Sequence, residues 1–136
     1  MDEEMSNSRV KEKDILLNIT GASIGRSAVY KNSVHANVNQ HVCIIRPKSE
    51  IDSNFIHLNI TTLNGQQQID NNQAGGGREG LNFKQIAKIV FYFPTLQEQN
   101  AISNLYRHLD AQIVNQQVKL DNLKLIKAAL LQKMFV

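Results

Sequence analysis

Residues 97–136, QEQNAISNLYRHLDAQIVNQQVKLDNLKLIKAALLQKMFV, contain no glycine and no proline and keep helical spacing from end to end. Apolar side chains recur at Ile102, Leu105, Leu109, Ile113, Leu120, Leu123, Leu130 and Met134, with Ile126 near the line. The steps are mostly three, four or seven residues, the signature of a coiled-coil-like stripe. Gln116 falls where the stripe calls for an apolar residue. A buried polar group there fixes register or partner number; the alternative is a solvent-facing gap. Just upstream, Thr95 has Glu98 three residues on, the capping-box spacing that starts a helix.

A helix of about 38 residues is roughly 57 Å long. A domain of this size has a radius of gyration of only about 14 Å. The helix is therefore expected to project and to lay its stripe against another helix, from a second copy or from another subunit.

Residues 1–96 read differently. Short apolar runs are broken by Gly, Asn and Asp. Strands are predicted over 14–19, 27–30, 40–46 (stopped by Pro47) and 87–93 (closed by Pro94). A helix is predicted over 55–63, capped by Asp52 or Ser53, with Ile56 and Leu58 facing inward, and one helical turn over 82–86. Three consecutive glycines at 75–77 mark a flexible break.

The 136 residues allow one ordinary domain, or a smaller unit with an appended helix, and 42% apolar content is enough for a core. The single cysteine, Cys43, forbids an intramolecular disulfide and fits a reducing interior. The polar, acidic N-terminus is not that of a signal peptide, and no apolar run approaches a membrane span. A soluble, cytoplasmic protein without a membrane partner is expected. A net charge of +3 is too mild to prove a nucleic-acid partner.

Residues 15–49 lack Asp and Glu altogether, in a chain with 12 acids. They carry Arg26, Lys31, Arg46 and Lys48. Arg26 and Lys31 flank an expected hairpin and are candidates to grip phosphates, while Asn37, Asn39 and Gln40 are candidates to reach base edges. A solvated loop is the alternative. Gln73 and Arg78 belong to a second candidate, the glycine-rich stretch 71–79, where a backbone could approach a phosphate. It is not a nucleotide-binding P-loop, because no Gly-Lys-Ser/Thr follows. The 15 Asn and 12 Gln offer amides suited to adenine edges, but an AT-rich genome explains them equally.

Gly21-Ala-Ser-Ile-Gly25 has the letter pattern of a nucleophile elbow. A β segment rather than a helix is expected to follow it, so a tight turn needing two glycines explains it better. His35, His41, Cys43 and His57 match no zinc spacing. On the helix, Lys119, Lys124, Lys127 and Lys133 form either a solvated face or a contact for DNA or an acidic partner. No catalytic residue, metal or cofactor is expected.

The order of several runs resembles the C-terminal half of a type I restriction–modification specificity subunit domain. They are DILLNITGASIGR (14–26), VNQHVCIIRP (38–47), REGLN (78–82), FYFPTLQEQ (91–99), Leu109-Asp110 and LKLIKAALLQKMF (123–135). The resemblance implies an α+β fold: a partial, β-rich target-recognition domain over 1–96, N-terminally truncated, then the long helix over 97–136. It implies that a full subunit carries two recognition domains, each reading half of a split sequence in double-stranded DNA. Two long helices then form an antiparallel coiled coil, onto which methyltransferase subunits dock. A translocating nuclease subunit joins indirectly, and the specificity subunit has no active site of its own. Half-subunits of this kind dimerise through the helix, which assigns the stripe and Gln116 to the partner interface. Two other readings stay open: a helix-mediated interaction protein that binds no DNA, and a hydrolase using Ser23.

Overall fold

The computed structural model describes residues 8–73 and 80–135. The chain divides into two units between Asn100 and Ala101.

The first unit is built on a small antiparallel sheet. Strands β2 (Ile15–Asn18), β3 (Ser27–Val29) and β5 (Val42–Ile45) pair in the order β3-β2-β5. Leu16 faces Ala28 on one side and Ile44 on the other, which fixes the register. A two-residue ladder, β1 (Arg9–Val10) with β4 (Ala36–Asn37), stands beside it. The alternation in β2 sends Ile15 and Leu17 into the core, both 0% exposed, and turns Leu16 and Asn18 to the other face.

Helix α1 (Ser53–Thr61) helps to close the core from the inner face through Ile56 and Ile60. Asp52 is its N-cap, accepting from the Phe55 N–H at 3.0 Å. Ile56 is buried as expected, while Leu58 is only partly so. Thr62 ends α1 and caps the next helix, α2 (Leu63–Gln73), by accepting the Gly65 N–H at 3.1 Å. Gly65 is a close-approach point: a Cβ there would run into the Asn59 carbonyl oxygen of α1. Ile69, 1% exposed, anchors α2 in the core. The single turn α3 (Phe83–Ile86) has a complete capping box between Asn82 and Gln85.

The predicted strand over 87–93 is not a strand. Its pleat survives, since Ile89 and Phe91 pack on the core while Val90 and Tyr92 point out. Instead of a neighbouring strand, the Gln68 side-chain amide serves Val90, accepting its N–H at 2.9 Å and donating to its carbonyl at 3.0 Å. A side-chain amide can imitate one rung of a ladder but cannot extend it.

Helix α4 (Leu96–Met134) is a single uninterrupted helix of 39 residues. Its capping box forms as the spacing predicts: Thr95 Oγ1 donates to Glu98 Oε2 at 2.8 Å, and Thr95 Oγ1 accepts the Glu98 N–H at 3.3 Å. Gln99, 2% exposed, ties this first turn to its unit by accepting the Asp52 N–H at 2.9 Å and donating to the Pro94 carbonyl at 2.8 Å. Among the described residues, no helix is long and apolar enough to cross a membrane.

Candidate nucleic-acid interface

The outward face of the sheet forms an open concavity of about 380 Å³. Its floor is apolar, with Leu16, Ala28 and Val42; its polar lining is Asn18, Arg26, Ser27, Asn37 and Asn39. Three residues expected from sequence thus meet here, although Arg26 and Asn37 belong to different ladders. Asn39 is oriented by its own turn, its Oδ1 accepting the His41 N–H at 3.0 Å. Arg26 is the sole charged group of the lining.

The other expected residues lie elsewhere. Lys31 is exposed beyond the far end of β3, so it and Arg26 flank a strand rather than a hairpin turn. Gln40 is exposed in the turn before β5 and does not line the concavity. Gln73 is not in a loop. It closes α2, where its Nε2 donates to Asp70 at 3.3 Å. Arg78 lies outside the described residues.

Arg46 has a structural partner. Its Nε and Nη2 donate to the two oxygens of Asp14 at 2.8 and 2.6 Å, and Nη2 also reaches the Arg9 carbonyl at 3.2 Å. Asp14 is 1% exposed. Burial alone would push its carboxyl up; the Arg46 hydrogen bonds, the Lys11 N–H and the nearby positive charges outweigh that and hold it below its ordinary 3.8. The Arg46 guanidinium is therefore paired with Asp14, although its side chain stays 47% exposed. Sequence reasoning missed this pair because 32 residues separate its members.

Gly21-Ala-Ser-Ile-Gly25 is the turn of the β2–β3 hairpin, with Gly21–Ser23 forming one 3-10 turn and both glycines at positive φ. A nucleophile elbow needs a strand-to-helix turn, and this one leads into a strand. The expected histidines disperse. His41 Nδ1 lies 2.7 Å from Thr20 Oγ1, and His57 Nδ1 lies 2.8 Å from Ser27 Oγ. Cys43 is buried in β5, and burial pushes its thiol up. Among the described residues, no three potential metal ligands gather.

In the second unit every stripe residue is solvent-exposed, from 38% at Ile102 to 73% at Met134. Gln116 lies on that stripe, sharing one shallow surface depression with Leu109, Ile113 and Leu120.

The sequence residue that was overlooked is Asn18. Its signal was present, because a polar residue ending the run Ile15-Leu-Leu-Asn18 must share a face with Leu16, away from the core.

Comparison with known proteins agrees with this architecture. The family model described as type I restriction modification DNA specificity domain matches residues 3–125. The type I restriction enzyme EcoBI specificity subunit of Escherichia coli is 26% identical over 131 residues, covering 90% of this chain. The chain spans 27% of that relative's length. With nearly the whole chain inside the family match, this protein belongs to the type I restriction modification DNA specificity domain family.

Proposed function

We infer that the chain is a non-catalytic recognition module that binds double-stranded DNA as part of a type I specificity subunit. Residues 1–96 form the reading domain and 97–136 the assembly helix. The observation carrying this reading is the concavity that gathers Arg26, Asn37 and Asn39 on a stretch free of acids, in a chain of this family. Amides and a guanidinium match base edges, and lysines such as Lys31 supply charge for phosphates. Gln40, in the turn before β5, and Gln73, at the end of α2, would add further contacts, and Arg78 is proposed as another from its residue type alone.

The helix stripe, Ile102 to Met134 with Gln116, would pair with the same helix of a second copy as a coiled coil. Methyltransferase subunits would dock on that scaffold, and a restriction subunit would join through them. Recognition would then direct methylation and cleavage carried out by those partners.

The test is a salt titration of binding to a pool of duplex oligonucleotides. Phosphate contacts release counterions, so affinity should fall steeply, with a log–log slope of about −0.9 per contact. Equal binding at 50 and at 300 mM salt, about a sixfold span chosen to expose that slope, would overturn the reading.

A further inference from the structure

The end of the β2–β3 hairpin places Asn18 opposite Arg26. The Asn18 N–H donates to the Arg26 carbonyl at 2.9 Å, continuing the register of Leu17 with Ser27. The Gly25 N–H also donates to the Asn18 carbonyl, at 3.0 Å, so Gly25 and Arg26 together face one residue. This is a β-bulge with glycine at φ +83°, the kind of insertion that re-aims a side chain at the end of a ladder.

The bulge is braced from behind. Gln66 of α2 donates to the Gly25 carbonyl at 3.1 Å and to the Ile60 carbonyl at 2.7 Å. A Cβ on residue 25 would meet Gln66 Oε1 at 2.7 Å. The backbone carrying Asn18 and Arg26 is thus pinned on both sides. Their side chains line the concavity, and among the described residues neither is engaged by a hydrogen bond or an ion pair.

The chemistry of the two groups is complementary to two different purines. One edge of a carboxamide presents a donor beside an acceptor, matching adenine N7 and N6; one edge of a guanidinium presents two donors, matching guanine O6 and N7. Cross-strand neighbours stand about 5 Å apart, and stacked bases rise about 3.4 Å. The pair therefore spans successive base pairs rather than one.

The geometry points to Asn18 and Arg26 as a reading pair for two adjacent purines in duplex DNA, Asn18 on adenine and Arg26 on guanine. This rests on the DNA-recognition reading above and makes Arg26 a base reader rather than a phosphate grip. Gln66 and Gly25 are positioning residues for it.

The experiment is selection of bound sequences from a randomised duplex library by the full chain, by Asn18→Ala, by Asn18→Asp and by Arg26→Ala. The wild-type chain should enrich a motif containing adjacent adenine and guanine. Asn18→Ala should lower the adenine preference about tenfold. Asn18→Asp should move that preference toward cytosine, whose N4 amine donates to a carboxylate. A misfolded chain could not produce such a switch. Arg26→Ala should remove the guanine preference alone.

If the Asn18 and Arg26 variants select the wild-type motif with undiminished preference, the pair is not the reader and DNA recognition still stands. A uniform loss across all sequences for Arg26→Ala, with the salt slope reduced by about one, makes Arg26 a phosphate contact and also overturns the pair. A wild-type chain that enriches no motif overturns the recognition reading itself, and this inference with it.

Discussion

Leu17 and Leu123 are the same side chain with opposite surroundings. Leu17 is 0% exposed between sheet and helices, whereas Leu123 is 63% exposed on α4. The contrast holds for whole regions. In the first unit Ile15, Ile60, Ile69 and Leu81 close one core around the sheet. From residue 104 to residue 135 every position is exposed, and the apolar ones are still spaced for a helical interface. The first unit buries a core of its own, although Leu63, Phe83 and Tyr92 stay exposed on its surface. The second has the spacing of a helical interface without the burial, and the pairing proposed above rests on that contrast.

The largest expected effect tests that division directly. Leu17→Ala removes packed methyl groups and should cost about 2–5 kcal/mol. Leu123→Ala removes the same atoms from an exposed site and should change the first unit's stability by less than about 0.5 kcal/mol. Denaturant-dependent alkylation of Cys43 reports on the first unit alone, because that thiol is buried in β5 and burial holds it protonated. Light scattering would read the other half: Leu123→Ala, not Leu17→Ala, should weaken self-association. Equal costs from the two variants in the alkylation assay would erase the comparison.

Next in size is the Asp14–Arg46 pair. Arg46→Ala leaves a carboxylate that is 1% exposed with the Lys11 N–H as its remaining bond and, discounted for the half-exposed Arg46, should cost about 1–3 kcal/mol. Adding Asp14→Asn should recover part of this, since the stranded charge is then gone. The pH dependence has a definite sign. The folded carboxyl titrates below its ordinary 3.8, so its stabilisation is complete above about pH 4 and is lost as pH falls through the lowered value. Asp14→Asn should flatten acid unfolding in that window, measured by Cys43 alkylation or circular dichroism. An unchanged acid limb would mean that other carboxylates dominate it. No such cost is expected along the exposed length of α4, where the Gln117 side chain donates to Asp121 at 2.9 Å in a surface pairing.

The two regions also differed in how far sequence could reveal them. The long helix was legible because its signals are local: a capping box, no breakers, and a stripe running from Ile102 to Met134, about nine turns. Strands β2 and β5 were legible as apolar runs ended by Gly21 and Pro47, and β3 as the short run Ser27–Tyr30. Helix α2 was not, because Ile69 is its sole deeply buried apolar side chain and Gly65 imitates a breaker. What makes it a helix is tertiary, namely close packing on α1 and the Thr62 cap. The error over 87–93 has the same origin. Pleated alternation was read correctly, but a strand also requires a neighbour, and Gln68 took that place. At the candidate site Arg26, Asn37 and Asn39 were found from residue type and charge pattern. Asn18 needed the register, and the Gln66 brace needed the fold.

The smallest expected effect lies at the boundary between the regions. Thr95→Ala removes the hydroxyl that bonds Glu98 Oε2 at 2.8 Å and accepts the Glu98 N–H at 3.3 Å. A lost N-cap costs about 1 kcal/mol. That cost should appear in the first unit, because the turn it starts carries Gln99, whose side chain holds the Asp52 N–H and the Pro94 carbonyl. Hydrogen exchange should quicken about fivefold at Glu98 and Gln99, whose N–H groups bond Thr95, and stay unchanged beyond residue 105, with the Cys43 alkylation midpoint lowered in step. Helix propagation is cooperative only over a few turns, and the distal amides depend on their own i to i+4 bonds and on whatever covers the stripe. If protection instead falls along the whole of α4, the helix draws its order from the first unit, and the two regions are one cooperative body.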